Sequence, residues 1–537
     1  MHTPIIMKKL LLVLTLALAS ALRAANLECS NIFADHMVLQ REKPVAIWGW
    51  ADANETVTVE FNGQKKTTKA SANGKWMLKL DPMKANAISQ KLVVTGSSNN
   101  VNLFNLFTGR KFEINDILVG EVWLGSGQSN MALEVNRCLN MESEKASANY
   151  PLIREFTERS TAHSEPKNNP KGSWTICSPI TVGNYSGALY FMARELHKEL
   201  KVPVGIIHSS RGGTPIENWI NLNTQLQTPE LKESTEAEIK LWNAFDEVKA
   251  KTKYEKDLAD WKAAKEKADG QPEPKTKAPS DPIARRKFNG GPGELFNGKI
   301  VALIPFTVRG IIWYQGEANA HNAERGKLYQ TQLPTLIKDW RKLWNEELPF
   351  CWAQLPNFER SDADWPWLRE SQLKALSVPN TGMITTIDIG EKDDIHPKNK
   401  QEIGRRFALW ALNTVYGKKI EYSGPLPISR EIRGDKVIIS FSHADGLKIK
   451  DGTELKGFEV ANAQVKSKAL DKNKKETEIS TYNYAPAKAI IENGKVIVSS
   501  DTIKNPTAVR YAWANYPDCN LVNQDNLPAS PFRFEDK

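Results

Sequence analysis

The chain has few cysteines for its length, five in 537 residues. They form no Cys-x-x-Cys pair and no Cys/His spacing typical of a metal site, so the sequence predicts neither a bound metal nor another cofactor. In an oxidising compartment they could form one or two disulfides, and their odd number leaves at least one thiol free. The cysteines are at positions 29, 138, 177, 351 and 519.

Long hydrophobic runs are absent beyond the first 25 residues, because no later stretch approaches the roughly 18 apolar residues of a membrane span. The formal net charge of +9 is modest for this length, and no basic run interleaved with aromatic residues suggests a nucleic-acid surface. We therefore expect a small-molecule substrate as partner, and neither nucleic acid nor a membrane span.

The N-terminus predicts export. Lys8 and Lys9 precede the apolar run 10–18, and the small residues of "ALRAAN" follow. This is the pattern of a secretory signal peptide, so we expect residues 1–25 to be removed and the mature protein to be periplasmic or secreted.

The remaining chain divides into three regions by its pattern. Residues 26–113 alternate short β-like runs with turns, which is typical of a β-sandwich or jelly roll. Residues 114–418 alternate apolar strand-like runs with helical stretches such as "ALYFMARELHKEL", which predicts an α/β domain with a parallel sheet. Residues 419–537 are again β-rich.

A segment rich in Lys, Glu and Ala, residues 226–285, interrupts the middle region. Ile239, Trp242 and Phe245 recur there at helical spacing. We interpret the segment as a solvated helical hairpin inserted into the α/β domain, and a lid over the site is the alternative.

The stretch "GSGQSNMALEV", residues 125–135, contains the first candidate for catalysis. It follows a buried strand-like run and leads into a helix-like pattern, so Ser129 is predicted at a strand-to-helix turn. A hydroxyl there meets free backbone N–H groups that favour a developing anion. A plain N-cap serine would occupy the same position.

A serine becomes a nucleophile only when a neighbouring base takes its proton, and the chain has eight histidines. His208, His321 and His396 are predicted at strand ends. His396 is favoured because Pro397 restricts its backbone, and because Asp393 and Asp394 are near enough in sequence to orient its ring.

Two further turns offer donors for an oxyanion. "HSSRGGTPIENW" places Gly212 and Gly213 directly after a strand, where their N–H groups can approach a substrate closely. "WYQGEANA" places Gln315, Glu317 and Asn319 after the next one. Because ligand sites of such sheets lie at the carboxyl ends of the strands, we expect these turns to meet Ser129 and His396.

The motifs "VGEVWLGSGQSNM", "SSRGGTPIENW", "GIIWYQGEAN" and "DIHPKNKQEIGRR" together resemble those of the sialate O-acetylesterase family, a branch of the SGNH hydrolases. "FADHMVLQREKPVAIWGWA" and "YAWANYPDCNLVNQDNLPASPF" extend the resemblance over nearly the whole mature chain, with 226–285 resembling an insertion. It implies a flavodoxin-like α/β/α catalytic domain, a serine esterase mechanism without metal, and an O-acetylated sugar as substrate.

The resemblance also implies roles for individual residues. Ser129 is the nucleophile and His396 the base, with Asp394 favoured over Asp393 as its partner. Backbone and side-chain groups complete the oxyanion hole. The donors implied are Gly213 or Gly212, together with Gln315 or Asn319 and the Ser129 amide.

Substrate contacts are expected at the same edge of the sheet. Gln128, Arg211 and Glu317 are polar candidates, with Arg211 at a position where the family often has Trp. Aromatic rings stack on sugars, so Trp365, Trp367 and Trp313 are the aromatic candidates.

Four functions remain open from the sequence. The favoured one is a secreted serine esterase that removes O-acetyl groups, from sialic acid above other sugars. Acetylated xylan is an alternative substrate. The other classes are a glycoside hydrolase that pairs Glu317 with Asp393 or Asp394, and a non-catalytic glycan-binding protein.

Overall fold

The computed structural model describes residues 27–97, 110–267, 278–462, 464–470 and 476–536. The predicted leader lies outside them. Among the described residues, no helix has both the length and the hydrophobicity needed to cross a bilayer.

The N-terminal part is built from short antiparallel strands with alternating burial. In β4, for example, Val57, Val59 and Phe61 are buried while the residues between them face outward. β1, β3 and β6 form a three-stranded sheet, and β7 pairs with β4. The strands are β1 (Glu28–Cys29), β2 (Val38–Gln40), β3 (Val45–Trp50), β4 (Thr56–Phe61), β5 (Gln64–Lys69), β6 (Lys75–Leu80) and β7 (Asn86–Ser97).

The central sheet has seven strands in the order β10-β9-β11-β8-β12-β13-β14. Six of them are parallel, and β10 closes one edge as an antiparallel partner of β9. Their bounds are β8 (Arg110–Gly127), β9 (Ile153–Glu158), β10 (Gly172–Ile176), β11 (Val204–Ser210), β12 (Gly310–Tyr314), β13 (Phe350–Ala353) and β14 (Thr381–Ile384).

One long strand joins the N-terminal and central parts. The first half of β8 pairs antiparallel with β7, and its second half lies between β11 and β12. Asp116, with φ of 54°, lies between the two halves. The expected boundary at residue 113 therefore falls inside a continuous strand.

Helices cover the central sheet on both faces. Side chains along β12 alternate between the two core clusters: Ile311 and Trp313 join the one that includes α8 and α9, and Ile312 and Tyr314 the one that includes α3 and α10. The helices are α1 (Ser129–Ala132), α2 (Met141–Ala146), α3 (Gly187–Leu200), α4 (Leu222–Gln227), α5 (Pro229–Asn243), α6 (Glu247–Lys267), α7 (Pro282–Asn289), α8 (Ala323–Trp344), α9 (Trp365–Lys374) and α10 (Lys400–Trp410).

The segment 226–285 contributes α5, α6 and the start of α7. α5 begins at Pro229, and Asp281 caps α7 by accepting hydrogen bonds from the N–H groups of Ile283 and Ala284. α6 has no buried residue, whereas Glu238 of α5 forms an ion pair with Arg325 of α8. The segment is therefore solvated along α6 and held to the α/β body through α5.

The C-terminal part consists of small antiparallel sheets packed on the central region. Arg369 of α9 is fully buried and donates to the carbonyl oxygens of Ala514 and Asn515. Gln354 and Ser530 make a second buried contact. The strands are β15 (Leu426–Arg433), β16 (Lys436–Ser442), β17 (Lys448–Ile449), β18 (Phe458–Ala461), β19 (Gln464–Leu470), β20 (Glu476–Tyr482), β21 (Ala485–Pro486), β22 (Lys488–Glu492), β23 (Lys495–Ser499), β24 (Ala508–Tyr511), β25 (Leu521–Val522) and β26 (Phe532–Phe534).

The disulfides considered from the sequence do not form. All five cysteines lie in the described part of the chain, and all five are free thiols. Cys138 and Cys177 donate instead to separate backbone carbonyls, those of Glu134 and Ala148. Burial raises the pKa of each of these two thiols to about 12, so both stay protonated.

Candidate active site

Ser129 lies directly after β8, at the carboxyl edge of the central sheet. Gly127, the last residue of β8, has φ of 138°, and a Cβ there would lie 2.1 Å from the carbonyl oxygen of Tyr314 on β12. Glycine is therefore needed for β8 to end against its neighbour. The chain turns at Gln128, whose N–H donates to Tyr314 O at 2.9 Å, and Ser129 is left partly exposed as the first residue of α1.

Unpaired backbone donors surround the serine. A Cβ on Gly212 would lie 3.4 Å from Ser129 Cβ, so the turn after β11 packs beside the hydroxyl-bearing residue. Gly213 follows with φ of 69°, which glycine adopts without strain. In the described chain, the N–H groups of Ser129, Gly212 and Gly213 have no hydrogen-bond partner. These groups could stabilise an oxyanion at the serine.

The loop after β14 brings His396 to the same edge. Asn130 Nδ2 donates to Ile395 O at 3.0 Å. Because Asn130 follows Ser129 and Ile395 precedes His396, this single bond joins the serine turn to the histidine loop. The His396 side chain is 26% exposed, so its ring is accessible from the solvent side.

Asp394 is the carboxylate beside the ring. Its Oδ1 lies 3.5 Å from His396 Nδ1 and accepts the His396 backbone N–H at 2.9 Å. Asp393 is exposed and has no hydrogen bond to a described residue. Burial lowers the pKa of the His396 imidazole below its usual 6.5, while Asp394 opposes the shift. The ring is therefore neutral, and able to accept a proton, at neutral pH.

The other two histidines considered from the sequence have different surroundings. His208 Nε2 lies 2.6 Å from Ser210 Oγ, and its Nδ1 lies 3.7 Å from Glu155 Oε1. His321 is exposed, and burial and nearby cations lower its pKa.

Comparisons with known proteins identify the family of the chain. The sequence profile of the sialic acid-specific acetylesterases, a carbohydrate esterase family, matches residues 296–413, which include the turn after β12 and His396. Sialate O-acetylesterase from Rattus norvegicus is 28% identical over 575 residues, covering 97% of each chain. The enzyme of the same name from Homo sapiens is 27% identical, covering 92% of this chain and 90% of its own.

A solved carbohydrate acetylesterase from Xanthomonas citri is 31% identical, with a TM-score of 0.75 over 95% of this chain and 100% of that one. The chain belongs to the sialate O-acetylesterase family. The resemblance identified from the four motifs is thereby confirmed. The protein is a carboxylic ester hydrolase of mixed α/β fold, and its relatives support esterase activity on sugars.

A buried polar cluster, formed by Asn130, Glu317 and Lys400, lies beneath the serine of this esterase. Asn130 Nδ2 donates to Glu317 Oε1 at 2.5 Å, and Asn130 Oδ1 accepts from Lys400 Nζ at 2.6 Å. With its bond to Ile395 O, the Asn130 amide makes three hydrogen bonds. The cluster thus fixes the residue after the serine relative to β12, to α10 and to the histidine loop.

Burial governs the charges of this cluster. It lowers the pKa of Lys400 to about 7 and raises the pKa of Glu317. Sequence reasoning did not select Asn130 or Lys400. The signal for Asn130 was its place beside the serine in "GQSN", and that for Lys400 was a lysine opening a helix just after the histidine loop.

Two predicted oxyanion donors differ in availability. Gln315 is fully buried, and its amide nitrogen already donates to Gln128 Oε1, Thr214 O and Asn319 Oδ1. It therefore has no N–H to offer a substrate, and that expectation is corrected. Asn319 is 1% exposed and commits one amide hydrogen to Glu217 Oε2 at 2.8 Å, so its second hydrogen has no partner among the described residues.

Two of the expected substrate contacts of this esterase are also corrected, and a third is restricted to one atom. Trp365 is 1% exposed and packs against Phe358 in the core. Burying a large apolar ring stabilises the fold, and the sequence alone does not show whether such a ring is buried. Glu317 is 4% exposed and bonded to Asn130. Gln128 is 3% exposed and accepts from Gln315 and Ala318 N, so its own amide nitrogen alone could reach a substrate.

The other tryptophan candidates are covered as well. Trp313 is fully buried, and the Trp367 ring is covered by Lys327 Nζ at 3.8 Å and by the Arg533 guanidinium at 4.1 Å from the ring centre.

Within the described ranges, no three His, Cys, Asp or Glu side chains converge as metal ligands would.

Arg211 lies at the border of the insertion. Its Nε donates to Asn289 Oδ1 at 2.8 Å, and its guanidinium lies 4.9 Å from the centre of the Phe288 ring. Both partners are on α7, just after the inserted segment ends, so this helix reaches the active-site edge. The sequence favoured a solvated hairpin for the segment that contains Trp242 and Phe245, with a lid over the site as the alternative; in the structure both rings line a cavity beside Gly213.

Proposed function

We propose that this esterase removes O-acetyl groups from sugars through an acyl-enzyme on Ser129, and that O-acetylated sialic acid is its substrate. The observation that carries the proposal is the bond from Asn130 to Ile395 O, which brings the Ser129 turn and the His396 loop to one edge beside unpaired N–H groups.

In the proposed reaction, His396 takes the proton of Ser129 Oγ as that oxygen bonds to the acetyl carbonyl carbon. The oxyanion receives hydrogen bonds from the N–H groups of Ser129 and of Gly213 or Gly212, and from the free amide hydrogen of Asn319. The sugar oxygen then leaves with the proton from His396. Water, deprotonated by the same ring, attacks the acetyl-serine, and acetate departs as the serine regains its proton.

The substrate is proposed from the relatives, two of which are named sialate O-acetylesterase. Acetate release from O-acetylated sialic acids and from acetylated xylan oligomers, compared at equal concentration, tests it. We expect a higher kcat/KM on the sialic acids. Equal or greater activity on xylan oligomers would contradict the proposed substrate and favour the alternative.

The glycosidase alternative is disfavoured by burial. Its carboxylate pair requires Glu317 to face a sugar, but the Glu317 side chain is 4% exposed and hydrogen-bonded to Asn130. The pair would also leave the exposed Ser129 without a role.

We also propose that residues 114–418 form a flavodoxin-like SGNH domain, preceded by a β-sandwich and followed by a β-rich region. The order of the parallel strands and the helices on both faces support the middle assignment. Export is proposed from Lys8, Lys9 and the apolar run after them.

Changing Asp394 to Asn is expected to lower kcat/KM about 10- to 100-fold, less than the roughly 10⁴-fold effect at a buried triad aspartate, because Asp394 is partly exposed. The acid limb of the profile of kcat/KM against pH should also move. Asp394 raises the pKa of His396, so removing the Asp394 charge should move the midpoint of this limb, which already lies below 6.5, to a still lower pH. Asp393→Asn is the matched control. Equal, small losses in both variants would show that neither carboxylate orients the ring.

Changing Lys400 to Met is expected to lower kcat about tenfold, because the Asn130 oxygen loses its buried donor, at a cost of about 1–3 kcal/mol of stability. Lys400 also lowers the pKa of His396 through its charge, so the acid limb should move upward, opposite to Asp394→Asn. Lys398→Met, at an exposed lysine two residues earlier, is the control for both readouts. A loss of stability with no movement of the limb would mean that Lys400 only supports folding.

A further inference from the structure

A cavity of about 440 Å³ opens beside the serine turn. One wall is the turn after β11, with Gly213 and Pro215. The opposite wall comes from the insertion, with Leu241, Trp242 and Phe245 near the end of α5 and Arg285 on α7. Leu241 is 68% exposed, so this wall offers uncovered apolar surface next to the predicted oxyanion donors.

Arg285 reaches from the insertion to the turn after β11. Its Nη2 lies 3.9 Å from the position that a Cβ on Gly213 would occupy. Gly212, the neighbouring residue, is the one that packs beside Ser129. A single sugar bound with its ester at Ser129 could therefore contact the Arg285 guanidinium.

The helix that carries Arg285 is fixed in place. Asp281 caps α7 through the N–H groups of Ile283 and Ala284, and the Arg285 backbone N–H donates to Asp281 O at 2.9 Å. At the other end, Asn289 accepts a hydrogen bond from Arg211. The guanidinium is thus presented by a helix that is anchored at both ends.

The charged groups around the cavity leave Arg285 without a partner. Glu217 and Glu238 line the cavity, but each forms an ion pair with Arg325. Arg286 stacks on the rings of Trp242 and Phe245, at 3.4 and 4.7 Å from their centres.

The Arg285 side chain makes no hydrogen bond or ion pair with any residue that the structure describes. A guanidinium without a hydrogen-bond or ion-pair partner can bind both oxygens of a carboxylate through parallel hydrogen bonds.

We propose that Arg285 binds the carboxylate of an acidic sugar and makes this esterase selective for acidic over neutral acetylated sugars. The inference rests on the proposed deacetylation of sugars and adds a determinant of substrate class to that site. The apolar wall of Leu241 and Phe245 would contact the non-polar face or acyl group of the same sugar.

The test compares two substrates that differ only at the carboxylate: 9-O-acetyl-N-acetylneuraminic acid and its C1 carboxamide. Hydrogen bonds to charged groups contribute about 1.5–3 kcal/mol, so Arg285→Leu should lower the acid-to-amide ratio of kcat/KM at least about tenfold, mainly through KM. Arg285→Lys, which keeps a charge but not the planar fork, should give an intermediate ratio. Lys287→Leu removes the same charge from an exposed position on α7 and should leave the ratio unchanged.

Binding of unacetylated N-acetylneuraminate and of its carboxamide to Ser129→Ala protein, measured by calorimetry with and without Arg285→Leu, separates this inference from the proposed function. Weaker binding of the acid alone in the double variant supports it, even if no acetylated sugar is hydrolysed and the proposed function fails. If sugars are deacetylated but Arg285→Leu changes neither the ratio nor the binding of the acid, Arg285 is not the carboxylate site and the deacetylase proposal stands.

Discussion

Replacing Ser129 with alanine is expected to lower kcat/KM on an aryl acetate by about 10⁴- to 10⁶-fold, because serine and histidine of such a site act as one unit. The fold should survive, since Ser129 is partly exposed and its side chain has no hydrogen-bond partner among the described residues. Initial rates, with circular dichroism and thermal unfolding as checks on folding, measure both effects.

The chain offers a matched control at the end of the neighbouring strand. Ser210 closes β11, and its Oγ lies 2.6 Å from Nε2 of a histidine, His208. Ser210→Ala should keep activity within a few-fold of wild type. If Ser129→Ala retained near wild-type turnover, or if Ser210→Ala showed the large loss, the nucleophile would be assigned to the wrong serine.

Replacing His396 with alanine is expected to cost a comparable factor, and the double variant with Ser129→Ala should be no worse than either single variant. The reason is that a correctly placed Ser129 hydroxyl is still a weak nucleophile when no base takes its proton. His321→Ala removes an exposed histidine from the turn region after β12 and serves as the control. Additive losses in the double variant would show that His396 and Ser129 act independently.

Glycine turns and strand ends have local signatures, so the sequence motifs could be assigned to turns at the ends of strands. Gly127 and Gly213 both adopt the left-handed backbone that their places in the turns require. Residues from four separate motifs meet at one edge because the ends of parallel strands share that edge. The helical spacing in 226–285 was likewise readable from the chain alone.

The burial of individual side chains could not be predicted from the sequence in the same way. Trp365 and Trp242 are both tryptophans in helical segments, yet one is a core residue and the other lines a cavity beside the site. The elements that pack against each helix decide whether its tryptophan is buried, and the local sequence does not show which elements these are. Lys400 is similar, since a lysine opening a helix is usually solvated and here its charge is fully buried under Asn130.

The boundary between the first two regions also could not be located from the local sequence pattern. β8 runs from Arg110 to Gly127 as one strand and serves two sheets. A change of pattern along the chain indicates a change of environment, and a strand can pass through such a change without ending.

The central claim is that His396 activates Ser129. Reaction with a fluorophosphonate, in which the activated serine oxygen bonds to phosphorus and fluoride leaves, followed by peptide mass mapping, tests it directly. We expect rapid labelling of Ser129 in the wild-type protein and very slow labelling in His396→Ala. Rapid labelling at another serine, or equal labelling of Ser129 with and without the histidine, would contradict it.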